Sequence, residues 1–392
     1  MQRRLTVRDL RAGNRARVLR TLYFDQPRSR QELAVATGLS QASVSTVVGE
    51  LLAEGLVVEA GQVESDGGRP RVLLRVNPGF AAVVGVDVGE THVLVEVFDL
   101  TLERLAESRS PVPAGGCSPD EVARLVLAGL DRCLAASGVT DVLGVGVGVP
   151  GLVEDGLVYA QTVGWHAAPL ERLLRAGTGL PLFLDNGANT LGQAESWFGA
   201  GRGVPDVVVA LIGSGVGASV ILGGVPYRGA SGGAGEWGHT TVALDGRPCR
   251  CGAAGCLEAY LGAAGIVQRY RELDPSVPDD EEAALRALVA DDSTGAAAIL
   301  AATARFAGLG IGNLINLVNP AAVVLGGWAG LVLGERLLGP IRREAARHAL
   351  HRPFEQVSIG LCELGPESVA LGAATLPVAA LLESGGVRRR TG

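Results

Sequence analysis

Buried strands that end in glycine-rich turns recur along this chain and restrict its fold more than any other feature. The first such run is AAVVGVDVGETHVLVEVFDL at residues 81–100, and related runs follow at 142–151, 207–225 and 319–330. Continuous apolar runs bounded by glycines are typical of fully buried strands, and the segments between them have helical spacing. The pattern predicts an α/β fold, and its recurrence predicts two similar lobes.

The glycine turns at these strand ends can bring backbone N–H groups close to a bound phosphate. They contain Asp87–Thr91, Gly213–Gly217 and Leu325–Gly327. A single glycine-rich turn is more often a simple hairpin, so one alone would carry little weight. Their order resembles the phosphate-1, phosphate-2 and adenosine segments of the actin-like sugar kinases.

The charge of the chain is unevenly distributed. Residues 1–76 carry 12 Arg and 8 acidic residues, whereas the remainder carries 22 Arg and 33 acidic residues. A basic N-terminal unit on an acidic body predicts a polyanionic partner for the first unit alone. All 34 basic residues are Arg, so the chain has no Lys ammonium that could act as a catalytic base or a phosphate clamp.

The N-terminal region carries the pattern of a helix-turn-helix. Residues 8–24 have the apolar spacing of a helix, and Ser29 with Glu32 forms a capping-box pattern ahead of a second, short helix. Gly38 then supplies a turn before a third helix at 41–55. A short helix, a glycine turn and a capped helix with a polar outer face are the parts of a DNA-binding helix-turn-helix.

A wing is predicted after these helices. Two β-prone runs at 56–60 and 71–76 flank a polar loop that ends in Arg69-Pro70-Arg71. Small helical bundles often bind no DNA, but the basic charge, the polar helix face and the Arg-tipped wing favour a DNA partner. Because the recognition helix has no basic residue in its first two turns, its direct readout of guanine should be weak.

Two sets of side chains are therefore expected at the DNA. The side chains expected near bases are Gln41, Ser43, Ser45 and Thr46. Those expected on phosphates are Arg28, Arg30, Arg69 and Arg71. Since affinity would rest on the second set, DNA binding should depend strongly on salt.

The most specific motif of the chain lies between Glu236 and Glu258. It reads E-W-G-H, then nine residues, then C-R-C-G-A-A-G-C-L-E. The candidate metal ligands are His239, Cys249, Cys251 and Cys256. One nitrogen and three sulfurs suit a closed, tetrahedral structural zinc site. Unliganded core cysteines are a poor alternative, because Arg250 and the neighbouring glycines make this a tight polar loop.

With this motif, the chain resembles the ROK family (repressors, open reading frames and kinases) over nearly its whole length. Its N-terminal part, including GLSQASVS and GGRPRVLLRVNP, resembles the family's repressor branch, which includes xylose and N-acetylglucosamine repressors. The resemblance implies that the zinc-binding His also faces a sugar, whose hydroxyls bind the flanking acids. The residues that it assigns to the sugar are Asn186, Glu236, His239 and Glu258. Trp165 is either a platform for the sugar or a core or lid residue.

The chain departs from the kinases of the family at two places. Their Asn-Asp-x-Asn element supplies the general base, but here Gly187 stands at the Asp position, and Asp185 is expected to point elsewhere. Their phosphate-1 turn reads Asp-x-Gly-Gly-Thr-Lys, but here Glu90 and His92 replace the second Gly and the Lys. A carboxylate at Glu90 should repel nucleotide phosphates. The chain is therefore predicted not to be an enzyme.

The predicted fold class is an N-terminal winged helix-turn-helix, residues 1–78, followed by a two-lobed actin-like domain of the ROK sugar-kinase type, residues 79–392. The predicted function is a sugar-responsive transcriptional repressor. It would act as a homodimer or homotetramer on operator DNA, with a sugar or sugar phosphate as effector. Two alternatives stay open: an active sugar kinase with a DNA-binding extension, and a regulator or scaffold whose sugar site is vestigial. An activator could be built from the same parts.

The location of the protein is predicted from its apolar segments. The first 20 residues lack the apolar stretch of a signal peptide, and no apolar run of 18 residues is free of charges and helix breakers. We therefore expect a cytoplasmic protein without a membrane partner. In that compartment, clustered cysteines indicate a metal and scattered ones indicate core packing.

Overall fold

The computed structural model describes residues 7–65, 68–113 and 116–388, and its first elements form a winged helix-turn-helix. In chain order these elements are α1 Val7–Asp25, β1 Arg28–Ser29, α2 Arg30–Thr37, α3 Gln41–Ala53, β2 Val57–Ser65 and β3 Gly68–Val76. Strand β3 lies between β1 and β2 and pairs with both in antiparallel fashion. The predicted helices and the ribbon that follows them are confirmed.

The predicted caps hold the turn between α2 and α3. The Ser29 hydroxyl accepts the N–H of Glu32 at 3.3 Å, and the Glu32 carboxylate accepts the N–H of Ser29 at 2.7 Å. Gly38 ends α2 at a φ of +67°, in the left-handed region that favours glycine. Ser40 then caps α3 by accepting the N–H of Ser43 at 3.1 Å. Each such cap typically stabilises a helix by about 1 kcal/mol.

The wing differs from its prediction. Both strands extend well into the stretch that the sequence predicts to be a loop, so Arg71 lies within β3. Pro70 is tolerated there because β1 pairs with β3 only at Leu73 and Leu74, which leaves one edge of β3 unpaired around the proline. The wing is thus a two-stranded ribbon with Arg71 on its flank.

The first lobe of the body is built on a five-stranded sheet. Its elements are β4 Ala82–Val88, β5 His92–Phe98, β6 Arg104–Pro111, α4 Pro119–Ser137, β7 Val142–Val149, β8 Leu152–Glu154, β9 Leu157–Ala160, β10 Trp165–Ala168, α5 Leu170–Arg175, β11 Leu182–Asn186 and α6 Gly187–Phe198. The sheet order is β11-β7-β4-β5-β6, and β8, β9 and β10 form a small separate sheet. We call the elements from β4 to β11 lobe 1.

The second lobe repeats this sheet topology. Its elements are β12 Val207–Ile212, β13 Val216–Leu222, β14 Val225–Pro226, α7 Glu258–Leu261, α8 Ala263–Leu273, α9 Glu281–Ala290, α10 Thr294–Val318, β15 Ala322–Gly326, α11 Trp328–His348, α12 His351–Gln356 and β16 Ser358–Leu361. The order β14-β13-β12-β15-β16 matches lobe 1 strand for strand, with three antiparallel strands followed by two parallel ones. We call these elements lobe 2; the predicted pair of similar lobes is confirmed.

The last helix, α13 Ser368–Glu383, returns from lobe 2 to the sheet of lobe 1. Its backbone passes so close to β4 and β7 that a side chain at Gly85 or Gly146 would collide with the backbone of Ala370 or Ala373. Glycine at these two strand positions therefore permits the helix to pack on the sheet. α6 packs on α13 and also on β12 and β13, so it lies between the two lobes.

The winged helix-turn-helix is packed against the body and shares a core with it. The Tyr23 hydroxyl donates to the Leu100 carbonyl at 3.1 Å, and Arg15 donates to the Gly385 carbonyl. One buried apolar cluster contains residues from both units, among them Leu19, Leu22, Leu56, Val83, Leu143, Leu381 and Leu382. A shared core of this kind transmits displacements between units better than a flexible linker would.

One helix of the described chain, α10, is long and apolar enough to cross a membrane. However, 61% of its most apolar stretch is buried inside the protein, where it packs against α11. Its buried residues belong to the main core of lobe 2. These contacts are those of a core helix.

Candidate functional site

A cavity of about 910 Å³ opens between the two lobes. Residues 87–92 of lobe 1 and residues 213–218 of lobe 2 border it, so the first two glycine turns face each other across the same space. The four residues that the sequence assigns to a sugar all line this cavity: Asn186, Glu236, His239 and Glu258. The fold therefore brings together side chains that are far apart in the chain.

Cys251 of the cysteine loop, residues 249–256, lines one wall of the cavity together with His239. The ligand atoms of the four predicted metal-binding residues lie within 4.8 Å of one another. The Cys251 and Cys256 sulfurs are 3.8 Å apart, and so are the Cys249 sulfur and His239 Nδ1. Two sulfurs at about 2.3 Å from one tetrahedral zinc would be about 3.8 Å apart. These residues can hold a metal ion of that geometry.

His239 connects this cluster to the cavity. Its Nδ1 faces the Cys249 sulfur, while its Nε2 lies 3.9 Å from the Glu236 carboxylate. Burial raises the pKa of the Glu236 carboxyl, although the nearby imidazole opposes that shift. One ring nitrogen is thus directed to the metal cluster and the other to an acid of the cavity wall.

Glu258 is the second acid of this wall, at the start of α7. Its side chain is only 6% exposed, and one carboxylate oxygen accepts the N–H of Val216 at 3.0 Å. The other oxygen lies 3.4 Å from Nη2 of Arg250. Because both oxygens are held in place, Glu258 presents a fixed, charged acceptor to the cavity.

Asn186 lines the cavity but uses both ends of its amide inside the protein. Its Oδ1 accepts the N–H of Ala188 at 2.7 Å and so caps α6, and its Nδ2 donates to the Gly151 carbonyl at 2.6 Å. These bonds fix the side chain at the floor of the cavity. The second hydrogen of the amide is the part that a ligand can reach.

Gly187 follows Asn186 and also lines the cavity. A side-chain carbon added there would have its nearest neighbours 3.6 Å away, at the Val149 carbonyl and at Val369, which is ordinary contact. Asp185 points away, as predicted: its carboxylate pairs with Arg228, and the two border a separate cavity of about 290 Å³. Asp185 therefore cannot replace a base at position 187.

The Glu90 carboxylate is not the free charge that the sequence predicts. It forms an ion pair with Arg250, which also approaches the Ser214 carbonyl at 3.3 Å. The guanidinium offsets part of this negative charge, so a phosphate would meet a paired carboxylate at Glu90 and not a free one. The pair instead fills space between the two glycine turns. Sequence reasoning missed Arg250 because its partner is 160 residues away.

Other cavity groups also escaped prediction. Arg109 donates to Glu367 at 2.8 Å, and Arg286 donates to Glu282 at 2.7 Å. Trp165, in contrast, does not line the cavity: it is 5% exposed, and its indole N–H donates to the Cys117 carbonyl at 3.0 Å. Of the readings left open for Trp165, the structure supports a core residue.

The recognition helix α3 presents a small polar surface. Gln41, Ser45 and Thr46 are exposed. Ser43 is half-buried, and its hydroxyl lies 2.9 Å from that of Ser40 at the helix cap. Three of the four predicted base-contacting residues are thus freely accessible, and the fourth is partly occupied by the cap.

The predicted phosphate-contacting arginines lie in different settings. Arg71 is exposed on β3, and Arg30 is half-buried at the start of α2. Arg28 donates to the backbone carbonyl of Asp25 at 2.9 Å, which orients its guanidinium. The side chain of Arg69 lies outside the described residues.

Comparison with known proteins identifies the families that this chain resembles. A ROK family model matches residues 83–379, and a MarR family model matches residues 11–68. A putative xylose repressor of Caldicellulosiruptor sp. (strain Rt8B.4) is 30% identical over 391 residues, which cover 94% of this chain and 96% of that protein. Its similarity extends over both units of the chain.

Among solved structures, one matches nearly the whole chain and another matches about three quarters of it. A ROK family transcriptional regulator, a homologue of the E. coli MLC protein, has a TM-score of 0.78 at 25% identity and covers 96% of this chain and 98% of its own. A ROK family glucokinase from Streptomyces griseus, in complex with glucose and AMPPNP, has a TM-score of 0.65 at 28% identity. It covers 76% of this chain and 99% of its own. The regulator thus covers more of this chain than the glucokinase does.

Proposed function

The chain belongs to the ROK family, and we propose that it is a transcriptional repressor that binds operator DNA and releases it when a sugar enters the cavity between its lobes. The observation that carries this proposal is the match of a putative xylose repressor over nearly the whole chain, winged helix included. The cavity supports it, because the acids expected at a sugar line the same space and Glu258 is held in place there.

We further propose that the protein does not transfer phosphate. Phosphoryl transfer to a sugar hydroxyl needs a base beside that hydroxyl and an open place for the nucleotide phosphates. Gly187 supplies no base, and the Glu90–Arg250 pair stands between the two glycine turns. The sugar would therefore act as a signal and would dissociate from the cavity without being phosphorylated.

The metal that we propose for the cysteine loop is zinc. The ligands would be His239, Cys249, Cys251 and Cys256, whose donor set and spacing suit a structural site. A bound zinc would fix the loop and hold the ring of His239 toward the cavity. The chain's own contribution is the position of Glu236 and Glu258 along the same cavity as that ring.

At the DNA, we propose that a homodimer or homotetramer in the cytoplasm presents paired winged helices to a pseudo-palindromic operator. The base contacts would come from Gln41, Ser43, Ser45 and Thr46 of α3. The phosphate contacts would come from Arg28, Arg30, Arg69 and Arg71. The DNA-binding domain would comprise residues 1–78 and the sugar-binding domain residues 79–392.

Two helices could pass a signal from the cavity to this domain. α6 begins at Gly187 on the cavity and ends at Trp197 and Phe198, whose rings pack on Phe24 of α1 at centroid distances of 4.9 and 6.2 Å. Just beyond α6, Arg202 donates to the Phe24 carbonyl at 3.2 Å. A displacement of α6 would therefore reach α1 through direct contacts.

α13 makes a parallel connection. Glu367 and Val369 line the cavity at its start, and the Gly385 carbonyl beyond its end accepts a hydrogen bond from Arg15 of α1. α6 and α13 pack on each other along their lengths. If a sugar draws the lobes together, we expect both helices to move and to change the spacing of the paired winged helices.

The test is the affinity for operator DNA with and without sugar. Fluorescence anisotropy of a labelled operator is measured with the full chain at saturating concentrations of a sugar panel, with D-xylose first because of the relative's name. Coupling of 1–3 kcal/mol is typical of allosteric proteins, so we expect about 5- to 150-fold weaker binding with the effector. Unchanged affinity with every sugar would refute the proposal and favour a regulator with a vestigial sugar site; tighter binding would indicate an activator.

An assay of ADP release from ATP, run across the same sugars, tests the kinase alternative. We expect no sugar-dependent turnover. Turnover at rates typical of sugar kinases would show that the cavity performs chemistry and that the DNA-binding unit is an extension of an enzyme.

A further inference from the structure

Glu90, which lines the cavity, forms a charged bridge to Arg250 at the edge of that cavity. We propose that the Glu90 carboxylate is a built-in occupant of an anion subsite whose cation is Arg250, and that this occupancy makes the cavity selective for neutral sugars over phosphorylated ones. The selectivity for sugars rests on the proposed function, whereas the anion subsite is a property of the described side chains alone.

The subsite lies directly in front of the phosphate-2 turn. A side-chain carbon added at Gly215 would lie 2.9 Å from Glu258, 3.3 Å from Glu90 and 3.5 Å from Arg250, measured to their charged atoms. Arg250 also donates to the Ser214 carbonyl at 3.3 Å. The space that a glycine turn leaves for an incoming anion is therefore filled by the protein's own charged groups.

The bridge joins the two lobes. Glu90 follows β4 in lobe 1. Arg250 belongs to the cysteine loop of lobe 2, where it stands between two predicted metal ligands. The side chains of Glu90 and Arg250 are 20% and 34% exposed, so solvent and salt screen the pair only partly. Arg250 also contacts Glu258, so two carboxylates share one guanidinium.

The arginines that line the cavity are also paired with carboxylates. Among the described residues that line it, Arg109 is bound to Glu367 and Arg286 to Glu282. The other lining carboxylates are Asp87, Glu236 and Glu335. A phosphate group entering this space would meet excess negative charge and no free arginine among the described lining residues. A neutral sugar would meet the same carboxylates as acceptors for its hydroxyls.

The Glu90→Gln substitution tests the subsite. The amide keeps the size of the side chain but removes the anion that occupies Arg250. The probe is inorganic tripolyphosphate, titrated by calorimetry at constant ionic strength into the wild type and three variants of the full chain. We expect Glu90→Gln to bind the probe at least about tenfold more tightly than the wild type does, as charge-assisted contacts to a guanidinium that has lost one of its two carboxylates predict.

Two matched variants make the result specific. Glu335→Gln removes one negative charge from the same cavity at an exposed position away from Arg250, and it should bind the probe as the wild type does. The double variant with Glu90→Gln and Arg250→Gln should bind the probe no more tightly than the wild type does. Equal binding by the wild type and Glu90→Gln, or a gain that persists without Arg250, would overturn the proposal.

A sugar arm separates this proposal from the proposed function. In thermal melts, glucose and glucose 6-phosphate are compared, as are N-acetylglucosamine and its 6-phosphate. We expect the wild type to be stabilised more by the neutral member of any pair that binds, and the Glu90→Gln variant to lose that preference. Greater stabilisation of the wild type by a phosphorylated member would overturn the selectivity. A failure of sugars to release DNA leaves the tripolyphosphate result intact, so the two failures are distinguishable.

Discussion

The two sides of the cavity between the lobes differ in the groups that they carry for sugar binding and for phosphoryl transfer. The side next to the cysteine loop carries Glu236, His239 and Glu258, which all line one space, and Glu258 is held there by the N–H of Val216. The side built on the first glycine turn and the start of α6 has Gly187 where a base is needed. It also has an ion pair where phosphates would approach the second glycine turn.

This difference shows that recognition and chemistry depend on separate groups. In the proposed function, the acceptors for a sugar are the two acids that flank the loop with the proposed metal. Transfer of a phosphoryl group needs a base and an open anion site, and these come from other turns. One side can therefore change without the other, and the following substitutions probe each side in turn.

The largest loss is expected from Cys256→Ser. Removing one of four predicted ligands should release the metal and loosen the loop between Glu236 and Glu258, and sugar affinity should fall on the order of 100-fold. Metal analysis and calorimetry on the purified variant measure both effects. Cys117→Ser, which changes a half-buried thiol of lobe 1, should keep both. Retained sugar affinity in a metal-free Cys256 variant would show that the loop does not hold the acids.

The largest gain is expected on the other side of the cavity. Gly187→Asp restores the missing carboxylate at a position with room for it, and Glu90→Gly removes the bridge. A general base typically contributes 10²- to 10⁴-fold, so the double variant should phosphorylate a bound sugar at least about 100-fold faster than Glu90→Gly alone. ADP release from ATP measures this. Equal rates for the two variants would mean that Gly187 is not the position that limits transfer.

A smaller loss is expected from Glu258→Gln. The amide can still accept the N–H of Val216, but it loses the charge that strengthens hydrogen bonds to a sugar hydroxyl. Hydrogen bonds to charged groups are worth about 1.5–3 kcal/mol, which corresponds to roughly a 10- to 150-fold loss of sugar affinity. Calorimetry tests this, with Glu335→Gln as the control for lost charge. If the two variants bind sugar equally well, Glu258 does not contact the ligand.

The smallest effect is a pH dependence at Asp87, on the floor of the cavity. Burial raises the pKa of this carboxyl from its ordinary value of 3.8 to about 7, partly offset by Arg109. The folded state therefore holds a proton that the unfolded chain has lost, so Asp87 costs stability progressively as pH rises from about 4 to 7. Asp87→Asn should melt a few degrees higher than the wild type at pH 8 and at nearly the same temperature as the wild type at pH 4. The same difference in melting temperature at both pH values would contradict this.

Local and motif-based features could be predicted from the sequence. Ser29 and Glu32 are three residues apart, so their capping box depends on one helical turn alone. The predicted metal ligands lie in a short segment with a characteristic spacing, and the structure brings them together. The repeated sheet followed from the repeated strand-and-turn pattern, because each unit has the same hydrophobic period.

Contacts between distant segments could not be predicted. The Glu90–Arg250 pair joins residues 160 positions apart, and Arg109 reaches Glu367 across 258 positions. Neither pair leaves a periodic signal in the sequence, since each forms only when distant elements pack together in the folded chain. The length of the wing strands was also missed, because the polar residues around Pro70 favour a loop until the pairing with β2 is known.

The central claim, that recognition is kept while chemistry is lost, can be tested in one measurement. The full chain is equilibrated by dialysis with Mg·ATP and the radiolabelled sugar that releases operator DNA, and the bound sugar is then recovered and identified. We predict about one sugar per chain, recovered without a phosphate. Recovery of a sugar phosphate, or no retained sugar at all, would contradict the account.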